Sequence, residues 1–199
     1  MEEGDFYYTI KEFSEGLFKD RGSRFIALAF PVSTEEEAKE KLLQVKKKYY
    51  DARHHCYAFR INPEKEFSKS SDDGEPSGTA GKPILNQLLS KKLFNVLVVV
   101  VRYFGGTKLG TSGLINAYKS ATKDAIENAT VLQKIITRSV KIGFEYPLMN
   151  NVMRLVKEEN LKIISQKFEL SCELTLEVEK SRESLIRKKF SSIYGVFLM

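Results

Sequence analysis

The chain has no tryptophan, and only two cysteines and two histidines stand among its 199 residues. Cys56 and Cys172 are too few for a disulfide framework, so reduced thiols are expected. Long hydrophobic runs are lacking as well. None exceeds the length of Val96 to Val101, far short of the roughly 20 residues a membrane helix requires, and no span is expected. The N-terminus opens on Glu2, Glu3 and Asp5 and lacks the basic-then-apolar pattern of a signal peptide, which points to a cytoplasmic protein with no membrane contact. An excess of one charge is also missing. There are 20 basic and 18 acidic residues through Gln133 and 12 and 8 beyond it, for a formal charge of +6. Neither part is basic enough to define a nucleic-acid patch by charge alone. What remains is an ordinary globular composition, 42% apolar and 29% charged, at a length that suits one large domain or two small ones.

Phe6 to Phe13 and Arg24 to Val32 have the composition of strands, separated by a polar turn at Lys19 to Ser23. Thr34 with Glu37 makes a capping box for a helix whose apolar face is Ala38, Leu42, Val45 and Tyr49, with Lys46 to Lys48 at its negative end. A strand follows from His55 to Ile61, then a long polar loop from Ser68 to Gly81. Pro83 opens a helix with Ile84, Leu85, Leu88 and Leu89 inward, and the β-branched run Val96 to Val101 reads as a strand buried on both faces. A glycine-rich turn, Gly105 to Gly113, leads into a helix through Asn128 with Leu114, Ala117, Tyr118, Ala121, Ala125 and Ile126 buried.

Beyond Gln133 the pattern changes. Val140, Ile142 and Phe144 alternate in a strand, Pro147 opens a helix carrying Val152, Leu155 and Val156, and Leu161 to Phe168 is a second strand. Leu170, Cys172, Leu174, Leu176 and Val178 alternate with polar neighbours in a third, which makes Cys172 a core residue. Ser181 caps a helix with Leu185, Ile186 and Phe190 inward, and Gly195 to Met199 returns as an edge strand. The order is βαββαβ, the ferredoxin-like plan. The expected domains are therefore 1–133 and 134–199, separable near Val131 to Ile136.

Three segments concentrate polar groups and glycines at the ends of predicted elements, where binding sites usually sit: Asp51 to Cys56, Ser71 to Pro83, and Val101 to Gly113. The last can act as an anion cradle at a helix N-terminus or as a purely structural turn. It is not a P-loop, since Thr111-Ser112 follows Gly110 where Lys-Ser/Thr is required. His54 and Cys56 point to one face of a strand but have no second Cys/His pair, so no metal and no cofactor is expected. No nucleophile-elbow sequence accompanies Ser71, Ser77 or Cys56, and no catalytic residue is assigned. The candidate binding residues are His54, His55, Asp72, Asp73, Gly74, Glu75, Ser77, Thr79, Arg102, Tyr103, Gly105, Gly106 and Lys108. His54, Asp72, Asp73, Arg102 and the Gly105-Gly106 turn are expected to meet in one surface cleft, with Arg102 bracing the acidic loop.

Ser71-Asp-Asp-Gly-Glu-Pro-Ser-Gly-Thr-Ala-Gly-Lys-Pro83 and Val99-Val-Val-Arg-Tyr-Phe-Gly-Gly-Thr-Lys-Leu-Gly110 resemble the two signature blocks of the YigZ/IMPACT family, and Asp51 to Cys56 resembles a third. The resemblance implies an α+β protein: an N-terminal domain with the left-handed βαβ fold of a small-subunit ribosomal protein and of domain IV of elongation factor G, then a ferredoxin-like domain resembling domain V of that factor. It implies the translation system as the setting, because eukaryotic members relieve inhibition of translation initiation. The expectation is a non-enzymatic regulatory binding protein that contacts RNA or a ribosome-associated protein. The alternatives are an enzyme acting on a phosphorylated or nucleotide substrate through the His/Asp/Gly-rich cleft, and an interaction protein with no small-molecule site. Ser112 stands where many relatives have glycine, a departure that weakens binding if positive φ is needed there.

Overall fold

A strand of consecutive β-branched residues is stable only when both of its faces are covered, so the valine run has to lie in the middle of a layered sheet. In the computed structural model, residues 5–169 and 171–199 are described; Glu2, Glu3 and Leu170 lie outside them. The strands and helices run, in chain order, β1 (Phe6–Ile10), β2 (Ser14–Asp20), β3 (Ser23–Pro31), α1 (Glu35–Lys48), β4 (His54–Ile61), β5 (Phe67–Ser71), α2 (Gly81–Ser90), β6 (Val96–Tyr103), α3 (Gly110–Glu127), β7 (Val131–Ile135), β8 (Thr137–Glu145), α4 (Met149–Glu158), β9 (Lys162–Lys167), β10 (Ser171–Glu179), α5 (Glu183–Ser191) and β11 (Val196–Leu198). The protein is of the mixed α+β class. Two compact units divide it, Tyr7–Lys134 and Ile135–Met199, the latter taking in Asp5 and Phe6.

In the first unit β6 is the central strand of a five-stranded antiparallel sheet of order β2-β3-β6-β4-β5. Alternation divides its side chains. Val96, Val98 and Val100 enter one core with Ile84 and Leu88 of α2 and Ala117, Tyr118 and Ala121 of α3. Leu97, Val99 and Val101 enter the opposite core with Ala38 and Val45 of α1. Helices therefore cover both faces of the sheet, and the polar end of β6 emerges between them. The Thr34 hydroxyl accepts from the Glu37 N–H at 3.1 Å, and Glu37 returns the bond one residue earlier than a strict capping box does, accepting from the Ser33 N–H at 2.6 Å.

The second unit is a four-stranded antiparallel sheet of order β11-β8-β10-β9, with α4 and α5 in its chain order βαββαβ. Its core joins Val140, Ile142 and Phe144 to Cys172, Leu174, Leu176, Val178, Val152, Ile186 and Phe190. No helix among the described residues is long and apolar enough to cross a membrane.

Three strands were not expected. Phe6 to Phe13 is not one strand: β1 stops at Ile10 and β2 forms a hairpin with β3, so Lys19 and Asp20 lie in β2 and the turn narrows to Arg21-Gly22. Residues 68–71 of the supposed loop belong to β5, paired along β4. Residues 131–135, read as a linker, are β7, which pairs with β1 in a two-stranded ribbon. Two inward leucines are also corrected. Leu89 and Leu185 are exposed, and Gln87 takes the buried position in α2. Ser181 sits in a one-turn 3₁₀ helix, Lys180–Arg182, and does not cap α5, which begins at Glu183 with no side-chain cap.

Candidate functional site

The end of β6 and the start of β4 are antiparallel neighbours, and His54 lies opposite Arg102 in the register. Period-2 alternation then puts His54, Cys56 and Arg102 on the α2/α3 face and His55 on the α1 face. On the second face, His55 is buried, with Nε2 3.0 Å from the Tyr49 carbonyl. A carbonyl can only accept, so Nε2 carries the proton. The same logic places a proton on His54 Nδ1, 2.9 Å from the Asp73 carbonyl.

The acidic loop between β5 and α2 is tied down by its own carboxylates. Asp72 accepts from the N–H groups of Gly78, Ala80 and Gly81 at 2.8, 2.9 and 2.8 Å, and so satisfies donors at the start of α2. Burial acts to raise its pKa, but those backbone donors outweigh it and hold the carboxyl below its ordinary value. Asp73 adopts a positive φ of 41°. It accepts from the His55 N–H at 2.7 Å and from Lys46 Nζ at 3.1 Å. Burial again opposes the shift, and the His55 amide and Lys46 win, so Asp73 is also lowered. Thr79 is buried and donates its hydroxyl to the Pro76 carbonyl at 2.6 Å, closing the loop on itself.

Behind the loop lies a buried polar network. Arg102 Nη1 donates to Glu75 Oε1 at 2.5 Å, and the Tyr118 hydroxyl donates to the same oxygen at 2.8 Å. Cys56 Sγ lies 3.2 Å from the Tyr118 hydroxyl and 2.9 Å from the Asp72 carbonyl. Burial, with Glu75, Asp73 and Asp72 nearby, pushes the Cys56 thiol up to about 12, against the opposing pull of its hydrogen bond with Tyr118. Burial raises the Tyr118 phenol, and the neighbouring Cys56 and Glu75 raise it further. Arg102 is 8% exposed and its Nε has no hydrogen-bond partner among the described residues. Its guanidinium lies over the Phe25 and Phe104 rings, 5.4 and 5.7 Å from their centroids.

Outside this network a cleft of about 710 Å³ opens. It is lined by Asp51, Arg53 and His54 before and at the start of β4, by Glu75 and Pro76 of the loop, by Arg102 to Phe104, and by Lys108 to Thr111 and Leu114 at the start of α3. The Tyr103 hydroxyl donates to Asp51 at 2.7 Å, which carries the phenol up to about 12. Arg53 and Lys108 are exposed, and Phe104 is 56% exposed.

Of the residues singled out from the sequence, His54, Glu75, Arg102, Tyr103 and Lys108 line this cleft. His55, Asp72, Asp73, Gly74, Ser77, Thr79, Gly105 and Gly106 do not. Arg102 pairs with Glu75 of the acidic loop and not with Asp72 or Asp73, and it is buried where a surface position was expected. Gly105 has a packing reason: a Cβ there would meet the Gly22 carbonyl carbon at 1.9 Å, so two turns touch through backbone alone. Gly106 and Gly110 hold positive φ of 88° and 73°, whereas Ser112 lies inside α3 and is not among the positive-φ residues, so its serine carries no backbone cost. Tyr118 was legible only as a core residue; its hydroxyl's place beside Glu75 depends on tertiary packing. Phe104, inside the third segment, was readable as an exposed aromatic after a buried strand. Among the described residues no group of three or more His, Cys, Asp and Glu is placed to hold a metal ion.

Layered sheet, braced acidic loop and the cleft beside them belong to a mixed α/β protein. The chain belongs to the IMPACT family: the Impact N-terminal domain matches residues 21–126. It is 38% identical over 152 residues to IMPACT family member YvyE of Bacillus subtilis strain 168, covering 76% of this chain and 70% of that protein. To IMPACT family member YigZ of Escherichia coli K12 it is 36% identical over 149 residues, 74% and 73% of the two chains. A solved structure described as that of a hypothetical protein superposes with a TM-score of 0.80 at 29% identity, over 98% of this chain and 97% of that one.

Proposed function

We propose that this protein is a non-enzymatic regulatory binding protein of the translation system, and that its first unit contacts RNA or a ribosome-associated partner through the cleft at the start of α3. The family supplies the setting. The observation that carries the reading is the rim itself: Arg53 and Lys108 are exposed cations without an ion pair among the described residues, and the exposed Phe104 ring lines the same cleft. Cations that hold phosphates beside a ring that stacks on a base are the chemistry of sequence-tolerant single-strand binding. His54 adds a ring nitrogen, Nε2, suited to hydrogen-bond a ribose hydroxyl.

The same geometry counts against the enzymatic alternative. Cys56 is buried with its thiol raised to about 12, far from the depressed value of an activated nucleophile. The two carboxylates that line the cleft are already engaged, Glu75 accepting from Arg102 and Tyr118 and Asp51 from Tyr103. The test is fluorescence anisotropy with a labelled single-stranded RNA and with ribosomal subunits over a salt series. Affinity that falls steeply with salt is expected from counterion release. Binding unchanged between low and physiological salt, or absent for both probes, contradicts the reading.

A further inference from the structure

The chain has two histidines, and alternation along β4 sets them on opposite faces of the sheet. His55 faces α1, with Nε2 on the Tyr49 carbonyl and Nδ1 3.8 Å from the Asp73 carboxylate. His54 lines the cleft. Its Nδ1 is engaged by the Asp73 carbonyl, and that bond holds whether the ring is neutral or charged, because Nδ1 donates in both states. Nε2 has no hydrogen-bond partner among the described residues. It is not sealed off either, since the one buried side-chain nitrogen or oxygen among them that lacks a partner is Arg102 Nε. The loop fixes the pose of the ring: a Cβ on Gly74 would lie 3.4 and 3.5 Å from His54 Nδ1 and Cε1. A proton can therefore join Nε2 without breaking a hydrogen bond of the fold.

The acids around the ring are already matched. Glu75 of the loop is paired with Arg102, the register partner of His54 on β6. Asp51, before β4, accepts from Tyr103. The Asp73 carboxylate is taken by Lys46 of α1 and the His55 amide, and Asp72 by the amides at the start of α2. The cleft residues without an ion pair among the described residues include the cations Arg53 and Lys108. Counter-charge for a protonated His54 thus has to come from the occupant of the cleft, and by linkage an anion in the cleft and a proton on Nε2 each favour the other. We infer that His54 makes the cleft pH-responsive: with Nε2 protonated, the ring joins Arg53 and Lys108 as a third cation facing the phosphates of single-stranded RNA, and affinity rises as the pH falls from about 8 to about 5. The inference rests on the binding reading above and adds its regulation. Phosphodiesters keep their charge throughout that range, so the change belongs to the protein. The displaced groups of the site lie outside the range: Asp72 and Asp73 are held low, and Cys56 and Tyr103 are raised to about 12.

Two variants fix the charge. Asparagine places its amide nitrogen where Nδ1 stands, so His54→Asn keeps a donor for the Asp73 carbonyl and removes the ionisable nitrogen. His54→Lys is charged throughout. Binding of a labelled oligouridylate of about 12 nucleotides is read by anisotropy at about pH 8 and about pH 5.5, at one ionic strength and then over a salt series. Poly-aspartate, ionised at both pH values, is run alongside, and melting temperatures confirm that each variant is folded. Wild type is expected to bind oligouridylate about tenfold more tightly at the lower pH, with a salt slope steeper by about 0.7, the contribution of one further phosphate contact on a single strand. His54→Asn should match wild type at the higher pH and lose the response, and His54→Lys should bind equally tightly at both. Calorimetry in two buffers of different ionisation enthalpy reads the same event without a variant, as proton uptake when the wild-type complex forms. Equal wild-type affinity at the two pH values, with no proton uptake, overturns the inference and leaves RNA binding standing, and so does a response that survives in His54→Asn. Poly-aspartate binding with a pH response that His54→Asn removes, while oligouridylate fails to bind, upholds the switch and gives the cleft to an acidic protein segment, against the RNA reading. Failure of both probes to bind at either pH overturns the binding reading and the inference together.

Discussion

α2 and α3 start at the same end of the same sheet, each after a loop rich in glycine, yet their first turns are treated in opposite ways. At α2 the protein brings its own anion: Asp72 accepts from Gly78, Ala80 and Gly81, and the loop folds around it. At α3 no side-chain cap is present, the neighbouring cations Lys108 and Arg53 are exposed, and a cleft opens. Two helix starts so close in the fold show the difference between a positive helix end closed for stability and one left available. Between them stands the Arg102–Glu75 pair, which belongs to both: Glu75 comes from the closed loop, Arg102 from the open cleft.

That shared pair gives the largest expected effect. Arg102→Ala leaves the Glu75 carboxylate buried with Tyr118 as its remaining donor, and breaking a buried pair from one side costs about 3–5 kcal/mol. Urea unfolding measures it. Replacing both partners with leucine, Arg102→Leu with Glu75→Leu, is expected to recover most of that loss, because the penalty lies in the stranded charge more than in the missing contact. A double variant as unstable as the single one contradicts the account.

Next comes the closed helix start. Asp72→Ala strands several amide donors at once and is expected to cost about 2 kcal/mol, with hydrogen exchange accelerated from Gly78 to Gly81. The pH response follows from the same carboxylates. Asp72 and Asp73 are both held below their ordinary 3.8, so the unfolded chain takes up their protons at higher pH than the folded one does. Their contribution is fully present above about pH 3.8 and is lost as pH falls through their lower folded values. Asp72→Asn and Asp73→Asn should each flatten the acid limb of a stability-versus-pH curve; an acid limb identical to wild type in both is the contrary result. The smallest effect belongs to the open start: Thr111→Asp is expected to gain roughly 0.5 kcal/mol through the dipole at low salt. A loss of similar size would mean that the start of α3 already has an anion of its own.

The same contrast explains what the sequence revealed. The capped α1, the doubly covered β6 and the buried face of α3 could be read from residue pattern, because periodicity and burial coincide there: Leu114, Ala117, Tyr118, Ala121, Ala125 and Ile126 are all buried as spaced. The alternating face of β10 was legible for the same reason. β2, β5 and β7 were not. Each lies at the rim of a sheet or in a two-stranded ribbon, so little of it is covered, and β2 and β5 are polar in composition. β5 is exposed along Phe67 to Ser70. Gly16 weakens the strand signal of β2, yet a Cβ there would meet the Ala125 amide nitrogen of α3 at 2.2 Å, so packing demands the residue that propensity disfavours. In the cleft, motif spacing pointed to the right turns but not to their division of labour. Nothing local distinguishes Asp72, Asp73 and Glu75, three acids within four positions, and only the fold assigns one to α2, one to Lys46 and one to Arg102.

The central claim is that the exposed cations of the cleft bind a partner while the buried network beneath them serves stability. It is tested most directly by Arg53→Ala combined with Lys108→Ala, with melting temperature and affinity for single-stranded RNA measured on the same samples at low salt. Both side chains are exposed and neither has an ion pair among the described residues, so the account predicts a melting temperature within a few degrees of wild type. Affinity should fall at least about tenfold, with a shallower salt slope. Unchanged affinity and salt slope, in a variant that melts as wild type does, would contradict it.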